Sequence, residues 1–207
     1  NNLIMGQIKT KKEVELNGLD DIKKVLNVTI GSAFKQSSRI ITNDDGLQYL
    51  DTLKDSTGRY LLAPDPKDTM QLRLAVGGTF VPVEAIPKGD LPSTVTYEQT
   101  KDIDVNAKKT YYTKVEEVYT AVDEPKKQDI ANYYEASATK IPVIIGDLKE
   151  GIWYFDRAKT TIMTSNIASI GDLNAFAEDL TIYRAIERED VKIRDKEAFV
   201  NAYLLQK

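Results

Sequence analysis

The first clear pattern along the chain is helical. Leu19, Ile22, Leu26, Ile30 and Ala33 recur at three- and four-residue steps, joined by Val25 and Phe34. That spacing predicts one apolar helix face. Asn17 can cap this helix, Asp20 and Asp21 sit in the first turn where the dipole favours anions, and Gly31 is a weak point near its end. Residues 1–16 before it are mostly polar with neither a helical nor a strand period, and are expected to form an extended connector. After the helix, SRIITN reads as a short apolar strand. NDDGLQYLDTLKD predicts a second helix, capped by Asn43, with Leu47, Leu50 and Leu53 inward. KDSTGRYLLAPDP predicts a turn at Gly58 and a short strand. In QLRLAVGGTFVPVEAIP, Gly77 and Gly78 separate two β-rich runs.

Residues 88–140 change character and become polar and punctuated. Their strongest signal is KTYYTKVEEVYTAV, two alternating runs about Val115–Glu116–Glu117, which predicts a β-hairpin over 109–122. Tyr111 and Thr113 are expected to pair with Tyr119 and Ala121. Pro125 should end the hairpin, with a short helix or turn through DIANYYE. A buried pattern returns at IPVIIGD. IWYFDRAKTTIMT predicts another hairpin, turning at Asp156–Arg157–Ala158–Lys159. AFAEDLTIYRAIEREDVKI stays open: Leu173, Phe176, Ala177, Leu180 and Tyr183 fit a helix, whereas Leu180, Ile182, Ile186, Val191 and Ile193 fit strands. EAFVNAYLL predicts a last short strand.

Composition adds exclusions. The 207 residues contain neither cysteine nor histidine, so disulfides, thiolate metal sites, the commonest general base and the usual pH switch are all absent. The net charge is −4, without a block of like charges of the kind that holds nucleic acid tightly. No apolar run approaches the ~20 residues of a membrane-spanning helix. The start at Asn1 resembles neither a signal peptide nor a natural initiator, and suggests that a segment upstream has been removed.

Candidate chemistry is thin. Asn43, Asp44, Asp45 and Gly46 lack the ligand spacing of a calcium loop and fit a helix cap better. Gly77–Gly78 is not a phosphate loop, because no Lys-Ser/Thr follows. The neighbouring carboxylates Asp20/Asp21, Glu116/Glu117 and Glu189/Asp190 point apart in any regular element. In the doublets Tyr111/Tyr112 and Tyr133/Tyr134, one ring is expected to pack and the other to face solvent. No catalytic, cofactor-binding or metal-ligating residue is expected, and no cofactor. These residues alone indicate an α+β protein without an active site.

Three segments in order carry a resemblance. Leu53, Lys54, Asp55, Gly58, Arg59 and Tyr60 follow a strand and helix as an LKD-x-x-GRY turn; LAVGGTFVPVEAIP forms a strand pair; and IIGDLKEGIWYFDRAKTTIMTS leads to the closing AFV strand. Together they resemble the major capsid proteins of tailed phages, although Thr79 and Phe80 depart from the family's strand pair. The resemblance implies the Hong Kong 97-type shell fold, represented by an axial domain plus part of the peripheral domain. The N-terminal arm, extended loop and long spine helix would be missing. It implies an axial-like domain over 17–150 with an insertion at 88–140, peripheral-domain strands over 151–190, and a strand over 191–207 returning to the axial sheet. It resolves the ambiguous segment as strands.

The function so implied is that of a non-enzymatic subunit of an icosahedral phage head. Copies would assemble as pentamers and hexamers around double-stranded DNA, without sequence-specific contact. The partners are further copies of itself, with scaffolding or portal proteins. The location is the virion, and the bacterial host cytoplasm before assembly. An isopeptide cross-link through this chain is not expected, because the position three after Phe176 is Asp179 where cross-linking relatives carry asparagine. The alternatives are an encapsulin-like cellular compartment and a carbohydrate-binding or adhesion module built on the tyrosine hairpin.

Overall fold

Strands whose alternate residues are both apolar must be covered on two faces, and the centre of this molecule is built from such strands. The computed structural model describes residues 3–101, 109–122, 132–167, 169–170 and 173–206. A short helix α1 (Leu3–Lys9) leads to β1 (Val14–Leu16), then to α2 (Leu19–Lys24), which runs into a π-helical turn at Val25–Thr29. Next come β2 (Arg39–Thr42), α3 (Asp44–Thr52), β3 (Leu62–Pro64), β4 (Leu72–Val76) and β5 (Thr79–Ala85). They are followed by β6 (Thr94–Gln99), β7 (Tyr111–Val115), β8 (Val118–Val122) and the long β9 (Tyr133–Gly146). After the one-turn α4 (Leu148–Gly151) come β10 (Ile152–Ser165), the short β11 (Ser169–Ile170) and β12 (Leu173–Asn174), β13 (Ile182–Ile193) and β14 (Phe199–Gln206).

Ten strands form one mixed sheet with the path β1-β14-β9-β2-β5-β4-β3. β1–β14 and β2–β5 are parallel pairs, and the remaining neighbours on this path are antiparallel. β6 and β7 pair with the first half of β9, and β8 pairs with β7. One face of the sheet buries Ile40, Val81, Val83, Ile141, Val143 and Ile145 beneath Ile22, Val25, Leu26 and Leu50 of the helical layer. The alternate residues Ile41, Ile144 and Phe199 form a second cluster on the other face with Ile8 of α1. Each such side chain contributes roughly 1.5–3 kcal/mol by leaving water. Val76 faces Thr79 across the two-residue turn Gly77–Gly78, and both glycines have positive φ, as a tight hairpin turn of this kind demands.

Several expectations need correction. Residues 1–16 are not a featureless connector: α1 buries Ile8 and β1 adds an edge strand to the sheet. Helix α2 is shorter than its period implies. Ile30 N–H donates to the Val25 carbonyl at 3.0 Å, a π-type bond that precedes the break before Gly31. Asn17 does not cap it; Gly18 holds that position, and the Asn17 N–H donates to Asp21 Oδ2. No turn forms at 156–159, where β10 runs straight on and absorbs its polar residues as register shifts against β13. In the tyrosine hairpin Tyr111 faces Val122 and Thr113 faces Thr120, one place from the expected register, because the loop is two residues, Glu116 and Glu117. Within DIANYYE, Tyr133–Glu135 already belong to β9, and 129–131 lie outside the described residues, as does Pro125.

β10 and β13 form a separate antiparallel two-stranded ribbon, so the open segment is extended from Ile182 onward. β14 returns to the main sheet between β1 and β9. The position 140 falls inside β9, which continues without interruption from Tyr133 into the buried IPVIIG stretch.

Candidate assembly surface

The acidic cluster at the start of α3 is a structural node. Asn43 Oδ1 accepts from the Gly46 N–H at 3.0 Å, while Nδ2 donates to the Leu91 carbonyl and to Ser93 Oγ. Ser93 in turn donates to Asp45, which also pairs with Lys88 at 2.7 Å. These bonds tie residues 88–93 to the helix start. Hydrogen bonds from Lys88 and Ser93 lower the Asp45 pKa from its ordinary value. Among the described residues no group of three potential metal ligands comes together.

The LKD-x-x-GRY segment forms a closed surface turn. Asp55 Oδ1 accepts from Thr57 Oγ1 and from the N–H groups of Thr57 and Arg59, which lowers its pKa. Lys54 sits over the Tyr60 ring at 4.5 Å. Directly after β9, Asp147 caps α4. Burial pushes its carboxyl up, but bonds from Ser37 and from the Glu150 and Lys149 N–H groups outweigh this and hold it low. Beside it lies an open depression of about 430 Å³ lined by Ser37, Arg39, Glu84, Asp147 and Lys149, in which Arg39 already pairs with Glu84.

The tyrosine doublets divide as alternation requires. Tyr111 and Tyr133 are buried with Val122 in a small cluster of their own, whereas Tyr112 and Tyr134 are half-buried on the opposite face. There Tyr97 and Tyr119 stack at 4.0 Å, and Tyr112 and Tyr134 meet them edge-on at 4.8 and 5.4 Å. The rings thus spend their faces on one another, an arrangement poor for stacking on a sugar.

Several large exposed apolar side chains lie on the ribbon. Trp153 and Phe155 lie on one face, with centroids 5.5 Å apart in an edge-to-face pair, and Tyr154 lies on the other. All three are exposed, as are Ile162, Met163 and Tyr183 toward the far end. The sequence offered a signal for this site: three consecutive aromatics in a strand must serve both faces, and a two-stranded ribbon has little with which to cover either.

Against known proteins, the family model described as the phage capsid family matches residues 4–123 and 125–202. Among curated proteins none matches this chain. Among solved structures it is similar to the capsid of an empty GTA particle computed with C5 symmetry. The identity is 14%, the TM-score 0.45, and the match covers 92% of this chain and 45% of that one. The capsid of the native GTA particle gives 15%, 0.44, 91% and 42% in the same order. The chain spans less than half the length of these capsid chains. Because the family model is matched along nearly the whole sequence, the chain belongs to the phage capsid family, the structural subunits of phage-like heads, with the Hong Kong 97-type fold.

Proposed function

We propose that this chain is the sheet-and-ribbon part of a shell subunit whose copies join as pentamers and hexamers around double-stranded DNA. The observation that carries the reading is the family match along nearly the whole chain. On this reading the ten-stranded sheet with its helices is the axial domain and the β10–β13 ribbon belongs to the peripheral domain. The strands of 88–140 elaborate the axial sheet. The role is mechanical: shape and edge complementarity repeated by symmetry. The net charge of −4 suits a wall that lies beside packaged DNA without gripping it. Scaffolding and portal proteins are the further partners, and the subunit waits in the host cytoplasm until the head is built.

The test is to express the whole gene product that contains this chain, together with its neighbouring head genes, and to image gradient fractions by negative-stain electron microscopy. Closed, uniform shells are expected. A product that stays as small soluble oligomers under all these conditions overturns the reading.

A further inference from the structure

We infer that Asn17 is a site of spontaneous covalent modification, where the neighbouring main chain converts the asparagine to a mixture of aspartate and isoaspartate. The inference does not depend on the shell reading. It begins from the cap that does not form. An asparagine at a helix N-cap commits its carboxamide oxygen to main-chain N–H groups of the first turn. Here Gly18 takes that position, and the exposed Asn17 carboxamide has no hydrogen-bond partner among the described residues. Asp21 accepts from the Asn17 main-chain N–H at 2.9 Å and does not hold the side chain.

The second reactant is adjacent. The Gly18 N–H donates to no acceptor among the described residues. Glycine has no Cβ to shield that nitrogen, and the space a Cβ would fill is open. The reaction needs only the chain and one water. The Gly18 nitrogen gives up its proton and attacks Asn17 Cγ. The new C–N bond closes a five-membered imide as the Cγ–Nδ2 bond breaks and ammonia leaves. Water then opens the ring. Opening at the side-chain carbonyl restores a normal backbone with aspartate. Opening at the main-chain carbonyl leaves isoaspartate, whose main chain is one atom longer. That atom enters between Leu16, held opposite Leu204 at the sheet edge, and the buried Ile22.

The other asparagines lack this combination. No other one in the chain precedes glycine. Asn43 and Asn201 are buried with their carboxamides hydrogen-bonded. Asn174 Oδ1 accepts from the N–H groups of Phe176 and Ala177. Asn27 is followed by Val28, whose branched side chain crowds the nitrogen.

The experiment ages the whole gene product at physiological temperature, native and unfolded in urea. Samples are digested in acid and the Asn17 peptide is followed by mass spectrometry. Conversion reads as a gain of about 1 Da, one ammonia lost and one water added. Isoaspartate is scored by isoaspartyl methyltransferase labelling. In the native protein Asn17 should convert first, with isoaspartate the larger product, and faster in mildly alkaline than in mildly acid buffer. Its native rate should lie within about fivefold of the rate in urea, because no native bond has to open first. Asn43 and Asn201 should convert only in urea. The signal should vanish in Asn17→Gln, where the ring would need six members. A native rate below that fivefold limit overturns the inference, since the fold then holds one of the reactants. Aspartate as the sole product also overturns it, because no imide forms, as does a signal that persists in Asn17→Gln.

Discussion

Replacing Gly146 with alanine tests the seam on which the sheet depends. Gly146 ends β9, opposite Phe199 of β14 and Arg39 of β2, with φ at +140°. A Cβ added there would lie 2.3 Å from the Ala198 carbonyl oxygen and 2.5 Å from Phe199 Cα. Both atoms are backbone, so no rotamer change relieves the clash; β14 itself must move. Overpacking of this kind costs about 1–3 kcal/mol, and an L-residue held at such a φ adds about 1–3 kcal/mol, giving roughly 2–6 in all. For a chain of this size each kcal/mol lowers the melting temperature by about 2–4 °C, so a fall on the order of 5–20 °C is expected. The assay is thermal and urea unfolding by circular dichroism, with Gly89→Ala as control. Gly89 has open space around it and no unusual φ, and its replacement should change stability by less than ~0.5 kcal/mol. A Gly146→Ala protein melting within about 2 °C of its parent would refute the packing described at this seam.

Asn43→Ala removes both the α3 cap and the bonds to Leu91 and Ser93; a loss of about 2–3 kcal/mol by urea titration is expected. Asp147 has a lowered pKa in the folded state, so the stability it supplies is present above the unfolded carboxyl value and lost as pH falls through the lower folded one. Urea midpoints of the parent and Asp147→Asn should therefore differ at neutral pH and converge as pH falls through the lowered folded value of Asp147. Replacing residues 102–131 by a short turn should leave the main sheet folded. Gln99 already faces Tyr134, the strands are antiparallel there, and Tyr111 packs in a cluster separate from the main core. A single cooperative melt with a modestly lower midpoint is expected; a molten spectrum would show that the hairpin supports the core.

What the sequence made legible was local chemistry. The Asn43 cap, the Gly77–Gly78 turn between β4 and β5, and the closing strand β14 each rest on a few neighbouring residues, and each appears where expected. The misreadings come from partners far away in the chain. Ile8 lies in a stretch without a clear period, and its burial comes from the partly buried Ile152 and Ile193 packed beside it. Asp156–Lys159 look like a turn because polar residues mark both turns and bulges, and only the pairing with β13, about thirty residues on, distinguishes them. The exposure of Trp153 and Phe155 likewise depends on the pairing of β10 with β13 alone, which leaves a two-stranded ribbon outside the main sheet.

The most direct measurement of the central claim is a cryo-electron-microscopy reconstruction of particles formed by the whole gene product. The account predicts a closed shell in which the ten-stranded sheet and the β10–β13 ribbon fit the density of every subunit in rings of five and six. Particles that lack this sheet in their wall, or a product that forms none, would contradict it.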